Sequence, residues 1–109
     1  MALINKDLAM TYCGGMEELF VEIVTDFRNS GIIDELKRCF AAKDWDNYRI
    51  QAHSLKSSSL TVGAETVSET FKKLEFACKD SDYAYVEANH DAACALFDEL
   101  AKEMDSVIG

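Results

Sequence analysis

The sequence has no proline and only five glycines in 109 residues. Proline breaks helices and glycine weakens them, so this scarcity favours long helices over a turn-rich sheet. There is also no apolar run of the 18 or so residues that a membrane-spanning helix needs. Residues 1–10 include Lys6 and Asp7 and lack the apolar stretch of a signal peptide. We therefore expect a helical cytoplasmic domain.

Basic residues are few, with 11 Lys and Arg against 20 Asp and Glu and a net charge of −9. Such a chain repels nucleic-acid backbones and anionic membrane surfaces, so we expect protein partners, no nucleic acid and no membrane. The four cysteines are far apart, with no C-x-x-C pair: Cys13, Cys39, Cys78 and Cys94. This spacing disfavours a zinc site and is typical of reduced thiols in the cytoplasm.

A chain of 109 residues can bury one hydrophobic core but not two, so residues 1–109 are assigned to a single domain. Apolar residues recur every three or four positions, as on one face of a helix, through most of the sequence. The predicted helices are a short one ending near residue 13, a helical region over 16–42, helices at about 45–61 and 65–79, and a last helix of about 25 residues. Because short connections make successive helices antiparallel, we expect an all-α, up-down antiparallel four-helix bundle with a short extra N-terminal helix. The triplet Asn29-Ser30-Gly31 leaves open whether 16–42 forms one kinked helix or two.

The helix predicted at 45–61 carries a histidine on its outer side. Its core-facing stripe is Trp45, Tyr48, Ala52, Leu55, Ser59 and Val62. His53 lies about 130° from the centre of this stripe on a helical wheel, so its ring is expected to face water. Ile50 and Leu60 share that side, Lys56 follows one turn later, and the small Ser57 leaves the ring uncovered. This arrangement is typical of a docking surface.

The thirteen residues A-H-S-L-K-S-S-S-L-T-V-G-A, at 52–64, resemble the signature of histidine-containing phosphotransfer (HPt) domains, roughly A-H-x-L-K-G-x-[SA]-x-x-x-G-A. The matching positions are His53, Leu55, Lys56, Ser59, Gly63 and Ala64. Ser57 stands where many members have glycine, and it is also small. The resemblance extends to Gly14-Gly15, Asp44-Trp45 and Leu74-Glu75, so it covers nearly the whole chain and implies a free-standing HPt protein.

This resemblance implies a phosphorelay intermediate of two-component signalling. His53 would accept a phosphoryl group from the phosphoaspartate of a response-regulator receiver domain and pass it to another receiver, with Lys56 as the charge partner of the phosphoryl group. The chain has neither a glycine-rich phosphate loop nor a carboxylate cluster for Mg²⁺. We therefore expect a carrier that is not an enzyme, has no cofactor of its own, and relies on Mg²⁺ held by the receiver.

Two further residues belong to the predicted site and its helix. Gly63 suits the C-terminal end of the histidine helix, in a conformation that other residues resist. Glu75 lies about 70° from the apolar stripe of the next helix, on the rotational side that His53 occupies on its own. If antiparallel packing turns both flanks into a shared seam, the Glu75 carboxylate would orient the imidazole. The alternative is a solvated carboxylate.

Phe76 and His90 have no role that the sequence explains. Phe76 lies near 170° from its stripe and is expected to be exposed, with partner contact as a guess at its role. The last helix carries its predicted stripe at Val86, Asn89, Ala93, Leu96, Leu100, Met104 and Val107. No motif like the one at 52–64 surrounds His90, so we expect this histidine at the surface.

Two other functions stay open. A sensor or hybrid histidine kinase could phosphorylate His53 directly in trans, or the domain could be a helical adaptor that binds receivers without being phosphorylated. The intact His-x-x-Lys spacing favours phosphorylation, because an adaptor needs no nucleophile there. One docking patch suffices for transient partners, so a monomer is expected.

Overall fold

A computed structural model describes residues 2–109, and no strand lies within them. The helices are α1 (Lys6–Cys13), α2 (Glu17–Arg28), α3 (Ile32–Ala41), α4 (Trp45–Thr61), α5 (Glu65–Lys79) and α6 (Tyr83–Ile108). α4 packs against α5, α5 against α6, α2 against α6, and α3 against α4. α2 and α3 together therefore form one side of a four-helix bundle, and α1 packs on α2 and α4 as the extra N-terminal helix. The predicted fold class is confirmed.

The region 16–42 forms two helices, which answers the question that the sequence left open. Gly31 adopts a left-handed backbone conformation at the start of α3, with φ +75°. Just before it, the Ser30 hydroxyl donates a hydrogen bond of 2.8 Å to the carbonyl of Phe27 and accepts one from the amide of Ile32. α2 and α3 are therefore separated by a turn that Ser30 closes with hydrogen bonds and that Gly31 makes possible.

Both ends of α4 are defined by residues that the sequence singles out. The Asp44 carboxylate accepts hydrogen bonds from the backbone and side-chain nitrogens of Asn47, so Asp44 caps the first turn of the helix. After the last turn, Gly63 takes the left-handed conformation, with φ +83°. The Gly63 carbonyl accepts a hydrogen bond of 2.9 Å from the amide of Asn5, and a Cβ on Gly63 would collide with the Asn5 carbonyl. Gly63 therefore ends α4 and lets the chain before α1 approach it.

The buried face of α6 differs from the predicted stripe. Asn89, Leu96 and Val107 are only half-buried, whereas four neighbouring positions are buried: His90, Cys94, Phe97 and Ala101. The helix is therefore rotated about its axis relative to the prediction. The buried residues include one histidine, which a search for apolar spacing does not count.

The predicted surface location of His90 is wrong, since its side chain is 4% exposed. The ring stacks on Phe40, with 3.7 Å between ring centroids, and its Nδ1 lies 2.9 Å from the Tyr48 hydroxyl. Burial raises the pKa of Tyr48, so the hydroxyl keeps its proton and shares one hydrogen bond with Nδ1. Nε2 faces the Cys94 sulfur at 3.5 Å. His90 is thus a hydrogen-bonded part of the core.

The four cysteines are free and buried. Burial raises the pKa of both the Cys78 and the Cys94 thiol to about 11, which keeps them protonated near neutral pH. Within residues 2–109, no helix combines the length and the apolar character required to cross a membrane.

Candidate functional site

His53 projects from the middle of α4 into solvent, with its side chain 57% exposed. The neighbouring Ala52 and Leu55 are fully buried and fix this helix against the rest of the bundle. The exposure expected from the helical wheel is therefore present. Because His53 lies in the middle of a packed helix, its backbone is fixed and its side chain leaves the helix in a defined direction.

The structure brings Glu75 to His53 across the seam between α4 and α5. The Nδ1 atom of His53 lies 2.9 Å from Oε2 of Glu75, whose side chain is only 2% exposed. The shared-seam geometry is thus present, and a solvated carboxylate is not what the structure shows. An exposed imidazole rests on a buried anion.

Three cationic or donor groups meet at the Glu75 carboxylate. Besides His53, the Lys56 ammonium lies 2.7 Å from Oε1 and the Lys79 ammonium 3.4 Å from Oε2. Burial alone would raise the pKa of Glu75, but the hydrogen bonds from Lys56, His53 and Lys79 outweigh it and hold that pKa at about 2. Glu75 is therefore ionised at neutral pH.

The charge of Glu75 decides which imidazole nitrogen carries the proton. An ionised carboxylate can only accept hydrogen bonds, so the Nδ1 atom of a neutral His53 ring must be the donor. The lone pair is then on Nε2, the nitrogen on the far side of the ring. Within residues 2–109 this atom has no hydrogen-bond partner, so it is available to an incoming group.

Lys79 was missed by the sequence reasoning, although its position four residues after Glu75 is a helical pairing signal. Lys72 was missed as well. The ammonium groups of Lys56, Lys72 and Lys79 lie 5.8, 5.7 and 5.0 Å from the ring centroid of Phe76. Phe76 is 43% exposed, as expected. Its lysines at i−4 and i+3 could have been found by spacing.

The three residues expected to contact a partner all reach the surface to some degree. Ile50 is 48% exposed, Ser57 is exposed and Leu60 is half-buried. Ser57 and Leu60 border an open groove between α4 and α5, whose other lining residues are Lys56, Glu65, Ser68, Glu69 and Lys72. Ser57 also borders a groove towards α2 and α3, lined by Ile23, Phe27 and Ile32 among others.

The fold and this site together define a class of protein. A helical bundle presents one exposed imidazole with a free Nε2, held from behind by a buried carboxylate and flanked by lysines. Among the residues that the structure describes, no three His, Cys, Asp or Glu side chains are grouped so as to hold a metal ion. Such a site presents an unprotonated ring nitrogen on an open surface.

Residues 8–109 match the family model described as the Hpt domain, so the chain belongs to the Hpt domain family. As an Hpt domain it is of a class that carries phosphoryl groups rather than one that catalyses their turnover. The chain is also 28% identical over 105 residues to the "Phosphorelay intermediate protein rdeA" of Dictyostelium discoideum. That match covers 94% of this chain but only 39% of the relative. No solved structure matches the chain significantly.

Proposed function

We propose that this domain is a phosphorelay intermediate in which His53 takes a phosphoryl group from a receiver-domain phosphoaspartate and passes it to a second receiver. The observation that carries the proposal is the 2.9 Å contact between His53 Nδ1 and the buried Glu75 carboxylate. It leaves Nε2 as the nucleophile on an exposed ring. Family membership and the similarity to a phosphorelay protein support the same role.

In the proposed transfer, the Nε2 lone pair attacks phosphorus while the bond between phosphorus and the aspartyl oxygen breaks. The aspartate leaves as a carboxylate, and the imidazole ring gains positive charge. Glu75, which is buried and contacts Lys56 and Lys79, stabilises that charge through the Nδ1 proton. Return of the phosphoryl group to a receiver reverses these steps.

Lys56 is the proposed charge partner of the transferred group. Phosphoryl transfer has a loose transition state that depends on positioning and on neutralising oxygen charge. The partly buried Lys56 ammonium is held by Glu75 one helical turn from His53, close enough for a lysine to turn towards phosphoryl oxygens. We expect Mg²⁺ to be supplied by the receiver, whose carboxylates bind it, and the domain to need no cofactor of its own.

The proposed receiver contact is the surface around His53 formed by Ile50, Ser57 and Leu60. Apolar atoms at Ile50 and Leu60 offer area to bury, and the small Ser57 lets a partner approach the ring. A receiver bound there would meet a monomeric domain in the cytoplasm. Sensor or hybrid histidine kinases would enter as the source of the phosphorylated receiver.

Two incubations test the proposal. Purified domain is mixed either with a phosphorylated receiver domain and Mg²⁺, or with a histidine kinase domain and ATP but no receiver. The proposal expects rapid labelling in the first mixture. Label only in the second would mean direct phosphorylation by a kinase, and no label in either with receiver binding intact would mean an adaptor.

A further inference from the structure

Phe76 is an exposed aromatic ring surrounded by positive charge. Lys72 and Lys79 come from its own helix, one turn before and one turn after, and Lys56 reaches it from α4. The negative face of an aromatic ring attracts ammonium groups within about 6 Å of its centroid. Three lysines that would otherwise repel one another are therefore gathered at one ring.

This cluster stands out against the charge of the whole chain. The protein has a net charge of −9, yet three of its 11 basic residues meet beside the one exposed histidine. Lys56 and Lys79 also contact Glu75, the carboxylate that holds the ring of His53. The positive edge formed by Lys56, Lys72 and Lys79 is thus joined to the phosphoryl-transfer site.

We propose that Phe76 is a positioning residue that holds Lys56, Lys72 and Lys79 together as a positive edge for the acidic rim of a receiver domain. The inference rests on the proposed function, because the occupant is the receiver that exchanges phosphoryl groups with His53. A receiver site that holds Mg²⁺ and a phosphoaspartate is built from carboxylates, and an acidic domain would repel it. A local positive edge offsets that repulsion where the two surfaces meet.

The acidic neighbours of this edge do not cancel it. Glu75 is shared between His53, Lys56 and Lys79 and is buried, so it is not presented to a partner. Glu69 lies 3.9 Å from Lys72, at the limit of an ion pair between two exposed side chains. Such pairs are weak and leave the ammonium free to exchange partners. Phe76 is then the contact that all three lysines share.

The test compares substitutions that separate two properties of the ring: the attraction of its face for ammonium groups and its apolar contact area. Phe76→Leu keeps an apolar side chain without the aromatic face, and Phe76→Trp keeps or strengthens that face. Lys72→Gln removes one charge of the positive edge. Lys73→Gln is the matched control, because Lys73 is the next residue on α5 and its ammonium is not among those that lie over the Phe76 ring. Unchanged helical circular dichroism and melting confirm that each variant is folded.

Each variant is assayed with a receiver domain chosen from a panel because it labels or binds the wild type. We expect Phe76→Leu and Lys72→Gln each to raise the receiver concentration needed for half-maximal single-turnover transfer about threefold to tenfold, with the maximal transfer rate little changed and a weaker dependence on salt. Phe76→Trp should match the wild type, and Lys73→Gln should change the half-saturating receiver concentration less than about twofold. A lost ring that only destabilised the bundle would not produce this split.

The inference is overturned if Lys72→Gln and Lys73→Gln have equal effects, or if Phe76→Leu matches the wild type. It is also overturned if Phe76→Trp raises the half-saturating receiver concentration as Phe76→Leu does, or if transfer does not depend on salt, since an apolar contact would then be the cause. Titration of each variant with the unphosphorylated receiver tests the same edge without any transfer. Failure of the wild type to accept phosphoryl groups would count against the proposed function alone.

Discussion

His53 Nδ1 and Glu75 Oε2 lie 2.9 Å apart, yet one side chain is mostly in solvent and the other is buried. The buried partner is an anion held by two lysines, so it stays charged and in place. A nucleophile must be accessible, and accessible side chains are normally mobile. Anchoring the exposed ring to a buried charge resolves that conflict.

Replacing Glu75 should therefore slow phosphoryl transfer without removing the acceptor. Glu75→Gln keeps an oxygen that can accept from Nδ1 but loses the charge, and Glu75→Ala loses both. We expect transfer to fall about threefold to tenfold in Glu75→Gln and about 10- to 100-fold in Glu75→Ala, as for loss of a charged hydrogen bond. Single-turnover labelling from a phosphorylated receiver measures both rates.

The order of the two Glu75 variants is the informative result. Equal rates in Glu75→Gln and the wild type would mean that the charge plays no part in the transfer. Equal losses in both variants would mean that charge, and not ring orientation, is what Glu75 provides. Lys73→Gln on the same helix serves as a control for a change of charge away from the carboxylate.

His90 should make the bundle less stable at mildly acidic pH. Burial lowers the pKa of His90 below its ordinary 6.5, so the unfolded chain binds the proton first as the pH falls. Stability is then complete above pH 6.5 and declines as the pH drops below that value towards the folded pKa. The slope should approach about 1.4 kcal/mol per pH unit for one proton.

Urea unfolding at pH 7.5, 6.5 and 5.5, followed by circular dichroism, measures this decline. In His90→Gln the side chain does not titrate, so the change in unfolding free energy between pH 7.5 and 5.5 should be smaller than in the wild type by the contribution of His90. The variant will be less stable overall because the stacking on Phe40 is lost. An undiminished pH dependence in His90→Gln would assign the decline to other groups.

Gly63 and Gly15 separate backbone strain from collision. Both have a positive φ, +83° and +77°, but only Gly63 has the Asn5 carbonyl where a Cβ would stand, and nothing lies within 4 Å at Gly15. Gly15→Ala should cost about 1 kcal/mol in unfolding free energy, and Gly63→Ala should cost at least about 2 kcal/mol more. Chemical denaturation of the two variants side by side gives the difference. Equal costs would show that the chain before α1 can move away freely.

Two buried serines should respond to alanine in opposite directions. The Ser59 hydroxyl is buried and has no hydrogen-bond partner among the described residues, whereas Ser68 donates a 2.8 Å bond to the carbonyl of Lys56. Ser59→Ala should raise stability by up to about 1 kcal/mol, and Ser68→Ala should lower it by about 1 kcal/mol. Thermal melts report the sign of each change. A loss of stability in Ser59→Ala would reveal a partner for its hydroxyl.

The helices and the exposed histidine could be predicted because their signals are local. Asp44 and Gly63 mark the ends of α4 in sequence, and the structure places that helix at Trp45–Thr61, as expected. The exposure of His53 follows from its angle to the apolar stripe. The hydrogen bond between His53 and Glu75 could not be predicted in the same way, because it depends on which of two ways α4 packs on α5. Only the tertiary structure distinguishes them.

On the helical wheel His90 lies within about 40° of the buried Val86, Cys94 and Phe97, so its burial follows from apolar spacing once the stripe is drawn through them. The predicted stripe was drawn instead through Asn89 and Leu96, roughly 100° to 120° away. The rotation of α6 depends on aromatic contacts with Phe40 and Tyr48 on other helices. Lys79 was overlooked for a different reason. A lysine four residues after a glutamate is common on exposed helices, and it becomes informative only once the glutamate is known to be buried.

The most direct test locates the phosphate. Wild type and His53→Gln are each incubated with a phosphorylated receiver, and the products are analysed by intact mass and by fragmentation under neutral or basic conditions. We expect one acid-labile, base-stable phosphoryl group on His53 in the wild type and none on His53→Gln. Phosphate that persists in His53→Gln, or that maps to His90 or to an acid-stable position, would contradict it.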